Sequence, residues 1–273
     1  MKRTLPRMIL CSVLIVLLCA CSNQSDRLTR IQNIKSRGIL RIGAKIDVPR
    51  FGYLDPETNQ VEGLEADIAR VLAKSILGDE DAVKFVPVTA LTREPFLKND
   101  EIDMVIATFT ITADRKAVFN FSDPYFTDEI GFLVRTQSAI KRPDDLLGKK
   151  VGVSRLSTAY IAFSTASLMP DIDFELIDYA SYPIVKNALL SGEIDAFAGD
   201  QSILQGYLDD HTVMLGQGIN PQPYGIATQL DDAPFSRYIN DRLSDMKNDG
   251  TLEHILNTWL GAQSQSGFLY NPI

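Results

Sequence analysis

Apolar positions recur along this chain with two different periods. Residues 39–44 (ILRIGA) form a short β-rich run and predict a strand. Over 64–77 the spacing changes: Leu64, Ile68, Val71, Leu72 and Ile76 share one helical face and predict an amphipathic helix. Strands are predicted at 83–88, 102–106 and 130–134, with Thr92 placed to cap a short helix between the first two. A second series follows: a strand at 150–153, a helix from Thr158, a strand at 174–177, a helix from Ser181, a strand at 194–198 and a helix near Ser202. Leu252, Ile255, Leu256, Trp259 and Leu260 then fall at i, i+3, i+4, i+7 and i+8, predicting a terminal helix. Strand and helix alternating on this scale predict an α/β fold with mostly parallel sheets, and the two series predict two lobes. The polar stretch 141–145 (KRPDD) lies near one division. Residues 220–224 (NPQPY) mark the other, because two prolines stiffen an extended crossing. No repeat of solenoid period and no low-complexity tract interrupts the pattern.

The first residues follow a different logic. Lys2, Arg3 and Arg7, with no acid nearby, precede an apolar run over 8–20. That run is too short to span a bilayer comfortably and suits the apolar region of a signal peptide. It closes on Leu18-Cys19-Ala20-Cys21, which resembles the bacterial lipobox. The resemblance implies a lipoprotein signal peptide over 1–20, with cleavage before Cys21 and acylation of that residue, and so a membrane anchor on an exported protein. Residues 21–37 read as a polar tether and 262–273 as a C-terminal tail.

Composition narrows the function. Of 273 residues, 45% are hydrophobic and 23% charged, an ordinary globular balance. A net charge of −8 makes the chain a poor polyphosphate binder, which excludes nucleic acid as its main partner. All 3 cysteines lie at or before Cys21, so the folded body has neither cysteine catalysis nor a disulfide framework. His211 and His254 are too separated to suggest a metal centre, and no phosphate-binding glycine loop or Gly-x-Ser-x-Gly elbow occurs. The expectation is a protein without cofactor or metal.

Residues 107–116 (ATFTITADRK), followed by 121–126 (FSDPYF), resemble the solute-binding proteins of polar amino-acid ABC importers. Residues 43–53 (GAKIDVPRFGY), 63–67 (GLEAD), Ile102-Asp103 and Leu256-x-x-Trp259 fit the same family, and the likeness covers about 38–261. It is most similar to the aspartate- and glutamate-binding members, through Thr108 where others have glycine, through Thr92-Arg93, and through 202–210 (SILQGYLDD). The resemblance implies a two-lobed periplasmic-binding-protein fold (type II) with two crossing strands as its hinge. Lobe 1 is expected to be discontinuous, over 38–134 and 223–261, with lobe 2 over 135–222. It implies a monomer that hands an acidic amino acid to a permease and its ATPase.

The residues then carry roles. Arg115 is the α-carboxylate ligand implied by the family, and a guanidinium fork suits two carboxylate oxygens. Thr110 and Thr108 lie on the same loop, Thr110 adding a hydroxyl and an N–H. Asp200, after the strand at 194–198, matches the ammonium ligand, although its position equally suits a helix N-cap. Lys45 and Arg93 set the ligand class. With Arg115 they make three cations against Asp200, a balance that an acidic amino acid restores and glutamine does not. Ser157 and Thr158 can donate from the second lobe, and Tyr182 is a further contact. Leu156 occupies a position where the family often has glycine. Arg155 has no clear family role, and Phe51 and Tyr53 suit core or pocket equally. Two alternatives are a binder of another polar amino acid, glutamine, and an enzyme resembling cyclohexadienyl dehydratase with Glu129 or Asp200 as its acid.

Overall fold

The computed structural model describes residues 29–165 and 168–261. The signal peptide over 1–20, the lipidation site Cys21 and the tail over 262–273 lie outside the described residues.

The first element corrects the tether. Residues Arg30–Arg37 form helix α1. Thr29 and Gln32 build a reciprocal capping box at its start, and Gly38 ends it in the left-handed conformation. Polar composition suggested a linker, but Ile34 is fully buried and joins the main core. Arg37 and Arg41 both reach the buried carboxylate of Asp103, and Arg30 pairs with Asp100 and Asp232. The helix is therefore fixed to the body by charge as well as by apolar contact.

Two five-stranded sheets follow. In the first, β1 (Leu40–Ala44) lies between β5 (Val83–Pro87) and β6 (Met104–Ile106), all parallel. Strand β13 (Ala227–Gln229) returns late in the chain to pair antiparallel with β6 and with β7 (Phe119–Phe121). A small three-stranded sheet of β2 (Asp47–Val48), β3 (Gly52–Leu54) and β4 (Val61–Glu62) sits beside it. The second sheet has the order β10-β9-β11-β8-β12, from Glu175–Tyr179, Lys150–Ser154, Ala196–Asp200, Phe126–Arg135 and Thr212–Tyr224. Strands β9, β10 and β11 are parallel, whereas β8 and β12 run antiparallel to their neighbours. The two-lobed α/β expectation holds, with mixed rather than uniformly parallel sheets.

The boundary near 134 moves. All of β8 belongs to the second sheet, paired with β11 on one side and β12 on the other. The chain leaves the first sheet between β7 and β8, through Ser122-Asp123-Pro124-Tyr125, and returns between β12 and β13. Proline at 124 interrupts strand pairing there, while Pro143–Leu146 in the polar stretch forms only a 3-10 turn. The paired ends of β8 and β12, with Phe126 opposite Tyr224, carry both crossings.

The helices cover the sheets. Helix α2 (Leu64–Leu77) packs against α8 (Ala233–Asn248) and α9 (Thr251–Leu260). Trp259 donates its indole N–H to Asp67 on α2 at 2.6 Å. Arg50 donates to the carbonyls of Trp259 and Leu260 at 2.9 Å, satisfying acceptors that the end of α9 leaves open. Gly63, just before α2, has φ +125°, and a Cβ there would lie 2.3 Å from the Phe51 carbonyl oxygen, so only glycine fits.

The lobes meet. Tyr207 donates to the Asp47 carbonyl, Arg50 donates to Gln205 at 3.2 Å, and Pro49 packs on Gly206. One buried apolar cluster runs from Ile42 and Leu72 through Phe51 and Tyr224 to Val185 and Phe197. Phe51 lies 5.4 Å from Phe126 and 6.0 Å from Tyr224, ring centre to ring centre, so aromatic packing lines the hinge. The cleft is closed.

Candidate ligand-binding site

The closed cleft gathers the charged residues that the sequence singled out. Helix α3 (Arg93–Lys98) opens on Arg93, and the short α4 (Ala113–Lys116) carries Arg115. Thr112 caps α4 by accepting from the Arg115 N–H at 3.3 Å. Both guanidiniums stack on one ring, with Cζ atoms 4.1 Å and 4.6 Å from the centre of Phe109. The carbonyls of the same loop hold them. Arg93 donates to Ala107 O at 2.9 Å and Thr108 O at 3.3 Å, and Arg115 donates to Thr110 O at 2.8 Å.

Lys45, Arg93 and Arg115 retain only 2%, 4% and 5% of their surface, so three cations are buried together. Burial lowers all three, with Arg115 brought to about 9 by desolvation and by the neighbouring Arg93 charge. Arg93 Nε is buried with no acceptor, and Glu94 stands 3.6 Å from Arg115 Nε.

Lys45 differs from its sequence reading in one respect. Its Nζ lies 2.9 Å from Asp47 Oδ1, as well as 4.9 Å from the centre of the Tyr182 ring. Asp47 was absent from the charge balance drawn from sequence, which therefore overstated the positive excess. Tyr182 opens α6 (Tyr182–Ser191), is buried, and joins the lobes through this cation contact.

The loop carrying Thr108 is strained and supported. Thr108 has φ +44°, the left-handed region, where glycine is usual and a β-branched residue is rare. Glu65 holds it there: its Oε1 accepts the Thr108 N–H at 2.5 Å and the Tyr125 hydroxyl at 2.5 Å. Burial pushes Glu65 up to about 7. Both Glu65 and Tyr125 fall inside family motifs, 63–67 and 121–126, yet the sequence assigns neither of them a role in the site.

The second lobe supplies the anionic side. Asp200 stands at the N-cap of α7 (Gln201–Gly206) but makes no side-chain cap. Asp128, from β8, takes that task by accepting from the Ser202 N–H at 3.1 Å and from the Ser202 hydroxyl. Asp200 is thereby released from its structural role. Tyr224 donates to Asp200 at 2.5 Å and lies 3.2 Å from Asp128, linking the pair across the hinge. Burial and the facing Asp128 charge raise Asp200 to about 7, while burial raises Asp128 to about 6. Arg93, Arg115 and Tyr182 all lie within the electrostatic reach of Asp200.

Thr158 opens α5 (Thr158–Ser164) and faces Thr110 across the cleft, hydroxyl to hydroxyl at 3.5 Å. Ser157 is occupied: it caps α5 by accepting from Tyr160 N–H, and its own N–H goes to Ser154 O, so only its hydroxyl proton is left to donate. Arg155 pairs with Asp178 on the rim and does not enter the cluster. Glu129 lies against Gly218 of the neighbouring strand β12. Among the described residues no group of His, Cys, Asp and Glu could hold a metal.

Leu156 has φ +59° and an exposed side chain, so it bears left-handed strain with little packing in return. Leu156→Gly is expected to stabilise the protein by about 0.5–1 kcal/mol, the relief of strain exceeding the added entropy of the unfolded chain. A urea midpoint that falls on substitution would contradict this.

The raised carboxyls predict a pH dependence. Glu65, Asp200 and Asp128 hold their protons more tightly folded than unfolded, so stability from these groups is full at low pH and is lost as pH rises from about 4 to about 7. Asp145 and Asp249 are held low by hydrogen bonds from Lys141 and Thr251 and act below that window. Ligand-free protein is expected to melt at a lower temperature at pH 7.5 than at pH 5.5. Scanning calorimetry checks this, and an unchanged or higher midpoint at pH 7.5 would count against it.

A cleft that closes between two lobes, with buried cations on one wall and a carboxylate pair on the other, is built to hold a small zwitterion. Residues 40–262 match the family described as bacterial extracellular solute-binding proteins, family 3. The chain belongs to that family. This solute-binding protein is similar to the ABC transporter glutamine-binding protein GlnH of Bacillus subtilis, 33% identical over 90% of this chain and 93% of that one. It is also similar to the glutamate-binding protein GluB of Corynebacterium glutamicum, 30% identical over 91% of this chain and 87% of that one. An ancestral arginine-binding protein bound to glutamine superposes with a TM-score of 0.74 at 33% identity, covering 82% of this chain and 99% of that one. No helix among the described residues of this solute-binding protein is long and apolar enough to cross a membrane.

Proposed function

We propose that this protein binds an acidic amino acid, aspartate or glutamate, and delivers it to the permease and ATPase of an ABC importer. The burial of Lys45, Arg93 and Arg115 together carries the reading. Arg115 takes the α-carboxylate, with the Thr110 and Thr158 hydroxyls beside it and Thr108 and Ser157 at the edge. Asp200 takes the α-ammonium, freed for it by Asp128. Arg93 and Lys45 meet the side-chain carboxylate, over Tyr182. With Asp47 counted against Lys45 and Glu65 protonated, the cations outnumber Asp200 and Asp47 by one, and an acidic ligand balances that excess. A ligand carboxylate beside Arg93 and Lys45 gains a charged pair in a dry site that a carboxamide does not, which favours acidic over neutral ligands. The named glutamate-binding relative supports the same class.

Glutamine is the second reading, favoured by the named glutamine-binding relative and by the Lys45–Asp47 pair. If Lys45 stays with Asp47, Arg93 alone meets the side chain, and a carboxamide oxygen suffices. Protein refolded free of ligand should be screened by thermal shift against the twenty amino acids, because a ligand that binds only the folded state raises the melting temperature. A shift confined to aspartate and glutamate is expected. An equal or larger shift with glutamine would replace the acidic reading with the second.

The protein acts as a monomer and is not an enzyme; the ligand leaves unchanged. Acylated Cys21 holds it to the outer side of the membrane, and mass spectrometry of the membrane-extracted protein tests for the acyl mass.

A further inference from the structure

Glu65 lies directly behind the cations yet takes no part in the ligand contacts assigned above. It sits in the first turn of α2, buried, with one oxygen fully used and the other unused. Oε1 accepts from Thr108 and Tyr125, whereas Oε2 is buried and has no partner. The charged groups facing it are Lys45, which follows β1, and Arg93 on α3, with Asp47 beyond Lys45. The Tyr125 hydroxyl and the Thr108 N–H complete its surroundings.

We infer that Glu65 compensates the charge of the ligand: it is the counter-anion of Lys45 and Arg93 when the cleft holds no acidic side chain, and it takes one proton onto Oε2 when a ligand carboxylate arrives beside those cations. The inference rests on the acidic-ligand reading above. Lys45 and Arg93 are already balanced by Asp47 and an ionised Glu65, and a dry site tolerates a third anion poorly. The arriving carboxylate is that third anion. A carboxylate oxygen with no hydrogen-bond donor is costlier to keep ionised there than a neutral carboxyl. Protonation at Oε2 leaves Oε1 free to keep both of its hydrogen bonds, so the Thr108 loop need not move. The poise of Glu65, near neutrality, lets a modest change in local charge move the proton. A neutral ligand such as glutamine brings no competing charge and leaves Glu65 ionised.

Proton uptake is therefore specific to acidic ligands. Asp200 and Asp128 also change protonation when an ammonium arrives, but they do so alike for glutamate, aspartate and glutamine. The difference in proton count between an acidic ligand and glutamine isolates Glu65. Glu65→Gln keeps an oxygen to accept from Thr108 and Tyr125 and places a neutral group at the Oε2 position.

The experiment is titration calorimetry of the full-length wild type and of Glu65→Gln, in two buffers of different ionisation enthalpy at pH 7.5, with glutamate, aspartate and glutamine. In the wild type, glutamate and aspartate should take up roughly three-quarters of a proton more than glutamine, because Glu65 is already partly protonated at pH 7.5. Their affinity relative to glutamine should fall by up to about tenfold per pH unit above the midpoint. In Glu65→Gln the difference in protons should vanish and the affinity ratio should become independent of pH. Equal proton counts for acidic and neutral ligands in the wild type would overturn the inference and leave the transport reading standing. A difference that survives in Glu65→Gln would also overturn it, by placing the proton elsewhere. If the wild type bound glutamine and neither acidic amino acid, the acidic reading would fall and this inference with it. The wild-type comparison does not depend on how the variant folds.

Discussion

Arg115→Ala is expected to weaken amino-acid binding by about 2–5 kcal/mol in titration calorimetry, the range for truncating one partner of a buried charged pair. The size follows from its surroundings. Arg115 is 5% exposed, its guanidinium stacked on Phe109 and held by Thr110 O, so it is pre-set rather than recruited. Little ordering entropy remains to be lost when an anion meets its free donors. Its burial with Arg93 close by strains the closed cleft electrostatically, and a ligand carboxylate relieves that strain. The empty Arg115→Ala protein should therefore lose little stability, or gain some, while losing affinity. Unchanged affinity would remove Arg115 from the site.

Asp200→Asn should separate binding from stability even more sharply. Asp200 and Asp128 share the Tyr224 hydroxyl and repel one another in a buried setting. Neutralising one of them removes that repulsion. The ligand-free melting temperature should rise by about 2–4 °C for each kcal/mol gained, as for domains of this size. Affinity should fall by about 2–5 kcal/mol, because the ammonium loses its counter-charge. A lower ligand-free melting temperature combined with intact affinity would reassign Asp200 to a structural role. Such a trade of stability for function is expected wherever like charges are held together to await a ligand.

The cleft is built from two kinds of residue, and only one kind is legible in the sequence. Arg115, Thr110, Thr108, Lys45, Arg93, Asp200, Thr158 and Tyr182 sit in local motifs or at element ends, and the structure gathers them at one cleft. Glu65, Asp128, Tyr125 and Tyr224 act through partners far away in the chain: Glu65 meets Thr108 and Tyr125, and Asp128 meets Ser202 and Tyr224. No periodicity reports such pairings. Asp47 was close enough to Lys45 to be suspected, but alternation on a two-residue strand carries too little signal. The hinge shows the same limit. The apolar run ending at Val134 announced a strand, but its partners β11 and β12 lie far ahead in sequence, and they decide which sheet it joins. Helix α1 was hidden differently: its capping box was legible, but polar composition outweighed a lone buried Ile34.

The apolar cluster that runs unbroken from the first lobe through Phe51 and Tyr224 into the second has a calorimetric meaning. Separating the lobes wets part of that cluster, including the ring contact between Tyr182 and Lys45. Closure around a ligand must therefore carry a negative heat-capacity change beyond what a small polar molecule brings by itself. The binding enthalpy becomes more exothermic on warming, at a rate set by the hinge and not by the amino acid. Ligands of unequal affinity should then share one temperature coefficient, provided that each closes the cleft fully.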